Sequence, residues 1–259
     1  LPDAVSAAPK IKNYYVWANF AVKEMNRLGH KHVGLLRGSL NSEHFFRISD
    51  EEKLQLRQRH NINKDDFIIG FVFRNQLRKS VPNLLEGYKL FLDKNPKSKA
   101  KLLFHTSWAE GWDIPRLLKE KNIPQENVLT TYICNNCREF EVKKFTKHKE
   151  DCRFCGGKDS QETSNVKNGI TEEQLNLVYN LMDVYCHPFT SGGQEIPIQE
   201  AKLTELITLN TNYSCGEDSC TEESGGFPLD WAEYREPGTQ FIKASTLPES
   251  ICEKLEKVY

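Results

Sequence analysis

The chain has 259 residues, with 35 basic and 36 acidic side chains, a net charge of −1 and a mean hydropathy of −0.60. That length fits one large domain or two small ones around a real core. No run approaches the ~18 apolar residues of a membrane span, no charged-then-apolar leader opens the chain, and so even a balance excludes a general nucleic-acid binder. Starting at Leu1 rather than Met, and ending inside a helical pattern, the chain reads as a piece of something longer.

The Pro/Ala-rich start, Leu1 to Pro9, predicts a linker or tail. Tyr14 to Ala18 has strand character, a helix is expected from Phe20 to Leu28 with Gly29 closing it, and Val33 to Leu36 is a second short apolar run. A polar loop (Gly38 to Phe46) and a charged helix (Asp50 to Arg59) follow. Phe67 to Phe73 is a continuous apolar run, the mark of a strand buried on both faces. After it come a helix through Val81, Leu84, Leu85, Tyr88 and Leu92, a strand from Lys101 to Thr106, a helix from Ile114 to Lys121 and a strand from Asn127 to Ile133. Leu175, Val178, Tyr179 and Met182 have helical spacing behind a Thr171-x-x-Gln174 capping box. The chain continues as strand (Asp183 to His187), helix (Pro197 to Leu206) and strand (Ile207 to Thr211). A loop from Ser224 to Gly238, a strand from Thr239 to Ala244 and a helix from Pro248 close it. Strands alternating with helices imply an α/β, Rossmann-like parallel sheet with right-handed crossovers, whose ligands sit at the carboxyl ends of the strands.

Eight cysteines are the unusual count. Cys134-x2-Cys137 and Cys152-x2-Cys155 lie 14 residues apart, and each pair can form one edge of a tetrahedral thiolate site. The expectation is a structural zinc in a small insertion of about residues 134–168, too short for a core of its own. Four protein ligands leave no open position, so the metal is not catalytic; His148 could replace one thiol but is not needed. Local disulfides are disfavoured because CxxC closes a very small loop and no secretory leader is seen. Cys186, Cys215, Cys220 and Cys252 lack ligand spacing, which fits a reducing, cytoplasmic setting. From Arg138 to Lys158 there are seven Lys/Arg and four Asp/Glu, a modest basic surface.

Two loops carry the chemistry. Phe73 to Ser80 holds Arg74, Arg78 and Lys79 at the carboxyl end of the first buried strand. A planar fork and mobile point charges there suit a diphosphate whose charge grows as a sugar leaves. Pro188 to Ala201 follows the strand ending at His187; Gly192 and Gly193 let backbone N–H groups approach a ligand, and the next helix points its positive end at the same place. Glu200 lies a turn into that helix, within reach of ribose hydroxyls. Trp108 and Trp112 can stack on a ligand or pack the loop, and His105 and His187 end strands nearby.

The order of buried strand, Arg74-x4-Lys79, "ITEEQLNLVYNLMDVYCHPFTSGGQEIPIQEAKL" and "GTQFIKA" resembles the donor-binding, C-terminal half of GT-B retaining glycosyltransferases of the glycogen-synthase-like family 4. The resemblance runs from about Asp65 to the end. It implies that Arg74 and Lys79 hold the donor diphosphate and that Glu200, after Pro197, binds the donor ribose. Backbone groups of Gly193 and Gln194 would meet the sugar and phosphates. The family's first motif glutamate falls at Gly192, which has no carboxylate; Glu195, three positions later, is the acid that could take its place through a shifted loop. The resemblance also implies transfer of a hexose-like sugar from a nucleotide-sugar to an unidentified acceptor, with retention at the anomeric carbon. Residues 1–48 would then be an interdomain segment and remnant of a missing N-terminal acceptor domain, residues 49–259 the donor-binding domain, and the zinc loop would border the nucleotide base. A zinc-knuckle nucleic-acid module and a nucleotide-sugar epimerase on the same fold are the competing expectations.

Overall fold

The computed structural model describes residues 2–259. Where composition predicts a tail, residues 2–7 form a helix, α1 (Pro2–Ala7), because a proline in the first turn is pre-set for helix and alanine favours it; Leu1 lies outside the described residues. Two short strands, β1 (Tyr15–Val16) and β2 (Gly34–Leu35), pair in parallel across α2 (Asn19–Arg27). Gly29 ends that helix at φ +94, which a side chain would resist. Ala8, Met25 and Val33 form a small core here, separate from the main one.

α3 (Asp50–Arg59) is fixed by a Ser49/Glu52 capping box. The regular part then runs β3 (Phe67–Val72), α4 (Val81–Lys94), β4 (Ala100–His105), α5 (Ile114–Glu120), β5 (Val128–Cys134), β6 (Phe140–Lys144), β7 (Gln161–Thr163) and α6 (Glu172–Asn180). It continues with β8 (Val184–His187), α7 (Ile196–Leu203), β9 (Ile207–Thr211), β10 (Gly226–Leu229), β11 (Trp231–Arg235), β12 (Ile242–Thr246) and α8 (Pro248–Val258). The Thr171/Gln174 capping box closes as its spacing predicts.

The main sheet has the order β10-β9-β8-β3-β4-β5-β6, parallel from β10 to β5. From β3 the chain builds outward through β4 and β5, then returns to the other side of β3 at β8. The switch point therefore lies between the carboxyl ends of β3 and β8. Asp183 ties this junction: its Oδ2 accepts from Arg57 Nη2 at 2.6 Å and from the Ile68 N–H at 2.8 Å. Gly70 of β3 makes room for Met182, since a Cβ there would lie 1.9 Å from its sulfur.

Two stretches depart from expectation. The loop predicted over Ser224 to Gly238 contains β10 and β11; Pro228 is tolerated because β10 is the edge strand. The strand expected at Thr239 to Ala244 moves to β12, because Gly238 (φ +86) and Thr239 belong to the turn joining it to β11. The interruption after β5 holds two antiparallel strands: β6 pairs one edge of β5, and β7 takes over the edge that β4 leaves.

Candidate functional site

The loops after β3 and β8 meet at the switch point. After β3, Asn75 turns inward and clamps the next loop, accepting from Trp112 N and donating to Trp112 O, each at 3.0 Å. A tight turn from Leu77 to Lys79 follows, ending at Ser80 with φ +43 just before α4. That turn sends Lys79 under the loop after β8, where its side chain is 4% exposed. Arg78 lies above it and keeps 43% of its side-chain surface.

Glu195, immediately before α7, is the acid both cations meet. Its Oε2 accepts from Lys79 and its Oε1 from Arg78 Nη1 at 2.5 Å. His187, the last residue of β8, completes the cluster with Nε2 at 3.2 Å from Lys79 Nζ and 3.1 Å from Glu195 Oε2. On its other side, Nδ1 lies 2.7 Å from the Tyr185 hydroxyl. Burial opposes the Glu195 charge, yet Lys79 beside it helps hold the carboxyl below its usual range. Burial also draws the Lys79 ammonium below its ordinary value, with Glu195 opposing. With imidazole neutral, one carboxylate faces two cations, and the cluster keeps one net positive charge beside a helix N-terminus. Such a place attracts an anion.

The remaining expected residues fall around this cluster unevenly. Arg74 is not part of it: its side chain is 64% exposed and reaches Glu110 at 3.5 Å. Gly192 lies directly against Glu195, so that a Cβ on it would be 2.5 Å from Oε1. The Glu195 carboxylate thus fills the space where a side chain at 192 would begin. Gly193 is exposed, and Gln194 donates Nε2 to the Gly38 carbonyl at 3.2 Å, tying the loop to the N-terminal segment. Glu200 is buried and accepts the Tyr179 hydroxyl at 2.6 Å; burial raises its pKa, Tyr179 opposing. Beside Glu195 opens a cleft of about 320 Å³ lined by Trp17, Arg37, Gly193, Gln194, Lys202 and Asp218.

Arg78 is among the loop cations that the sequence offers, whereas the hydroxyl partners of Tyr185 and Tyr179 are not read from it. The signal for Tyr185 was available: positions 185 and 187 share one face of a strand. The two tryptophans pack rather than wait for a ligand. Trp112 donates Nε1 to Leu77 O at 3.2 Å, while Trp108 stacks on Phe145 at 3.9 Å and donates to Thr130 at 2.8 Å.

The four expected cysteines converge at the carboxyl end of β5, all Sγ atoms lying within 4.8 Å of one another. Cys134–Cys155 and Cys137–Cys152 are each 3.7 Å apart. A metal with thiolates at ~2.3 Å in a tetrahedron needs sulfurs about 3.8 Å apart, and a disulfide needs ~2.05 Å. The donor set fits a metal. Backbone N–H groups of Asn136 and Cys137 point at Cys134 Sγ at 3.4 and 3.5 Å. Burial resists the Cys134 thiolate, but these donors and Ser160 bring its pKa to about 6. His148 is not in the cluster.

No protein-family model and no curated protein matches the sequence. Solved structures do match the fold. A glycosyltransferase of Rickettsia africae superposes with TM-score 0.61 at 12% identity over 95% of this chain and 53% of its own. An Anabaena protein crystallised with UDP and glucose gives 0.65 at 10% identity, over 99% and 56%. The C-terminal domain of a group 1 glycosyltransferase from Francisella tularensis gives 0.52 at 13%, over 85% and 87%. The fold is therefore that of GT-B glycosyltransferases, and the chain spans about half the length of the first two.

Proposed function

We propose that the chain is the donor-binding part of a glycosyltransferase that takes its sugar from a nucleoside diphosphate sugar. The observation that carries this is the Lys79–Arg78–Glu195 cluster at the switch point of a GT-B fold, one positive charge in excess beside the N-terminus of α7. As the bond between anomeric carbon and diphosphate breaks, charge grows on the phosphate oxygens. Lys79, Arg78 and the helix end meet that charge. Arg78 supplies the exposed cation next to Lys79; Arg74, more distant in the loop, would reach the distal end of the donor only by leaving Glu110. Glu195 stands in for the glutamate absent at Gly192, a reading supported by its carboxylate lying against that glycine. Gly193 and Gln194 offer backbone N–H groups to the sugar, and Glu200 turns from Tyr179 to the ribose. The acceptor oxygen then bonds the same carbon on the same face, retaining its configuration, as in the resembled family.

The acceptor side belongs, in this reading, to an N-terminal domain of which residues 1–48 are the last part. Two strands in parallel are too few to stand as a sheet, and Trp17 and Leu36 are exposed beside them. Cys134, Cys137, Cys152 and Cys155 hold a structural zinc that pins the insertion. A nucleic-acid role for that insertion is not favoured, because its aromatics are already engaged. Phe140 packs at a tilt on His60, Phe145 stacks on Trp108, and Arg59 and Arg153 both contact the Phe154 ring. An epimerase on the same fold is the other reading, which the pattern of Lys79, Arg74 and Glu200 disfavours against transfer.

The test is a thermal-shift screen of UDP-, GDP- and ADP-sugars with zinc measured on the same sample. One sugar nucleotide should raise the unfolding midpoint, Lys79→Ala should abolish the shift, and the metal should be present at one per chain. A shift that survives in Lys79→Ala would sink the assignment of the site.

A further inference from the structure

We propose that His187 is a positioning residue for Lys79: its neutral ring, with the proton on Nδ1, accepts one ammonium N–H and aims the remaining one at the donor phosphates. The inference rests on the reading of Lys79 as a phosphate ligand and goes beyond it, since neither motif nor fold assigns His187 a part.

Hydrogen counting selects one tautomer once the Tyr185 proton goes to Val72. The Tyr185 hydroxyl has one proton, and it lies 3.0 Å from the Val72 carbonyl, which can only accept. With that proton committed, the 2.7 Å contact to His187 Nδ1 requires the ring to donate. A neutral ring then has a lone pair on Nε2, which faces Lys79 Nζ at 3.2 Å. The 3.1 Å approach of Nε2 to Glu195 Oε2 would set one acceptor against another, except that both converge on the same ammonium. A doubly protonated ring would place a third cation beside Lys79 and Arg78 around one carboxylate. Burial and the Lys79 charge both disfavour that form.

An ammonium has three donors. Glu195 takes one, His187 takes another, and the third has no partner among the described residues. Lysine's four-carbon stem is flexible, and fixing it on binding costs rotamer entropy. Two acceptors that fix the head beforehand leave less to be lost when the phosphates arrive.

A packing role alone does not call for histidine. Phe71 and Phe189 meet the ring edge-on at 4.9 and 5.8 Å, an aromatic environment that phenylalanine would suit. Sequence alternation puts His187 on the same strand face as Tyr185, so the relay Val72–Tyr185–His187–Lys79 runs along one side of β8 into the site.

The test is calorimetric titration of the chain with UDP, GDP, ADP and inorganic pyrophosphate, in wild type, Lys79→Ala, His187→Phe and His187→Gln. A hydrogen bond to a charged group is worth about tenfold or more in affinity. His187→Phe is expected to weaken the best of these ligands by that factor, and His187→Gln, whose amide oxygen can accept, to recover most of it. Weak binding in Lys79→Ala with normal binding in His187→Phe overturns the positioning role alone. Wild type that binds none of the four, or Lys79→Ala that binds as well as wild type, overturns the reading of the site and this inference with it. Ring-nitrogen NMR of the wild type does not depend on the variants folding. A proton on Nδ1 of His187 is expected, and one on Nε2 overturns the proposal.

Discussion

His187 is fully buried, and burial, reinforced by the charge on Lys79, pushes its pKa down to about 4, with Glu195 pulling the other way and Arg78 adding to the fall. Tyr185 faces its other nitrogen as a neutral hydroxyl, its own pKa raised by burial. The consequence for stability has a definite sign. The unfolded histidine titrates near 6.5, so below that pH the unfolded chain takes up a proton that the folded chain refuses. The contribution is whole above pH 6.5 and fades as pH falls toward 4, to a total of ~3 kcal/mol. Glu195, held low against the cost of burial by the ammonium of Lys79, loses its contribution further into acid. Urea unfolding midpoints should therefore drop between pH 6.5 and 4.5, less steeply in His187→Phe; an equally steep fall would mean an ordinary histidine. At this scale the sequence places three cations in one loop, and the structure brings Arg78 and Lys79, not Arg74, against Glu195, because a motif spacing says nothing of which way a tight turn throws successive side chains. The tyrosines behind His187 and Glu200 were hidden for another reason: in an apolar strand or helix an aromatic reads as core until its hydroxyl partner is seen.

Elements were more legible than contacts. Phe67–Val72 reads as a strand because a run buried on both faces leaves a continuous apolar signature. α6 is marked in the sequence by its Thr171-x-x-Gln174 capping box, while the Ser49/Glu52 box of α3 emerges only in the structure. β6 and β7 left no such mark: each is short, and Phe140-Glu141-Val142-Lys143-Lys144 alternates too briefly among charges to stand out. β10 was obscured by Pro228, which only an edge strand accepts. The close fit of β3 gives a prediction at this scale. Gly70→Ala places a methyl against the Met182 sulfur, so β3 must shift or Met182 repack. A loss of about 1–3 kcal/mol is expected in denaturant unfolding, and a loss near zero would mean that Met182 swings aside freely. The same argument applies where α8 crosses α4, since a Cβ on Gly87 would lie 2.6 Å from Ile251.

Over the whole molecule the near-zero charge is the sum of unlike regions: a cationic cluster at the switch point, acids on the loop after β9, and bases on the insertion. Arg37 and Lys23 pair with Asp218 and Glu217, joining the N-terminal segment to the loop after β9 beside the cleft at Glu195. No helix among the described residues is long and apolar enough to cross a membrane. The cysteine turn also lies where the outer edge of β5 is covered. Cys134 ends β5 and Cys137 begins the return to β6, so the turn folds β6 back along the outer edge of β5. All seven residues of β5 are buried, and without β6 their free N–H and C=O groups would form an open template for another chain. If zinc holds that turn, a chelator should first produce self-association, seen by light scattering and sedimentation while far-ultraviolet dichroism stays unchanged, and Cys137→Ser should do the same. A chelated chain that stays monomeric would mean the hairpin holds without metal. A site that takes no part in the chemistry would then act as the clasp that keeps this sheet from growing.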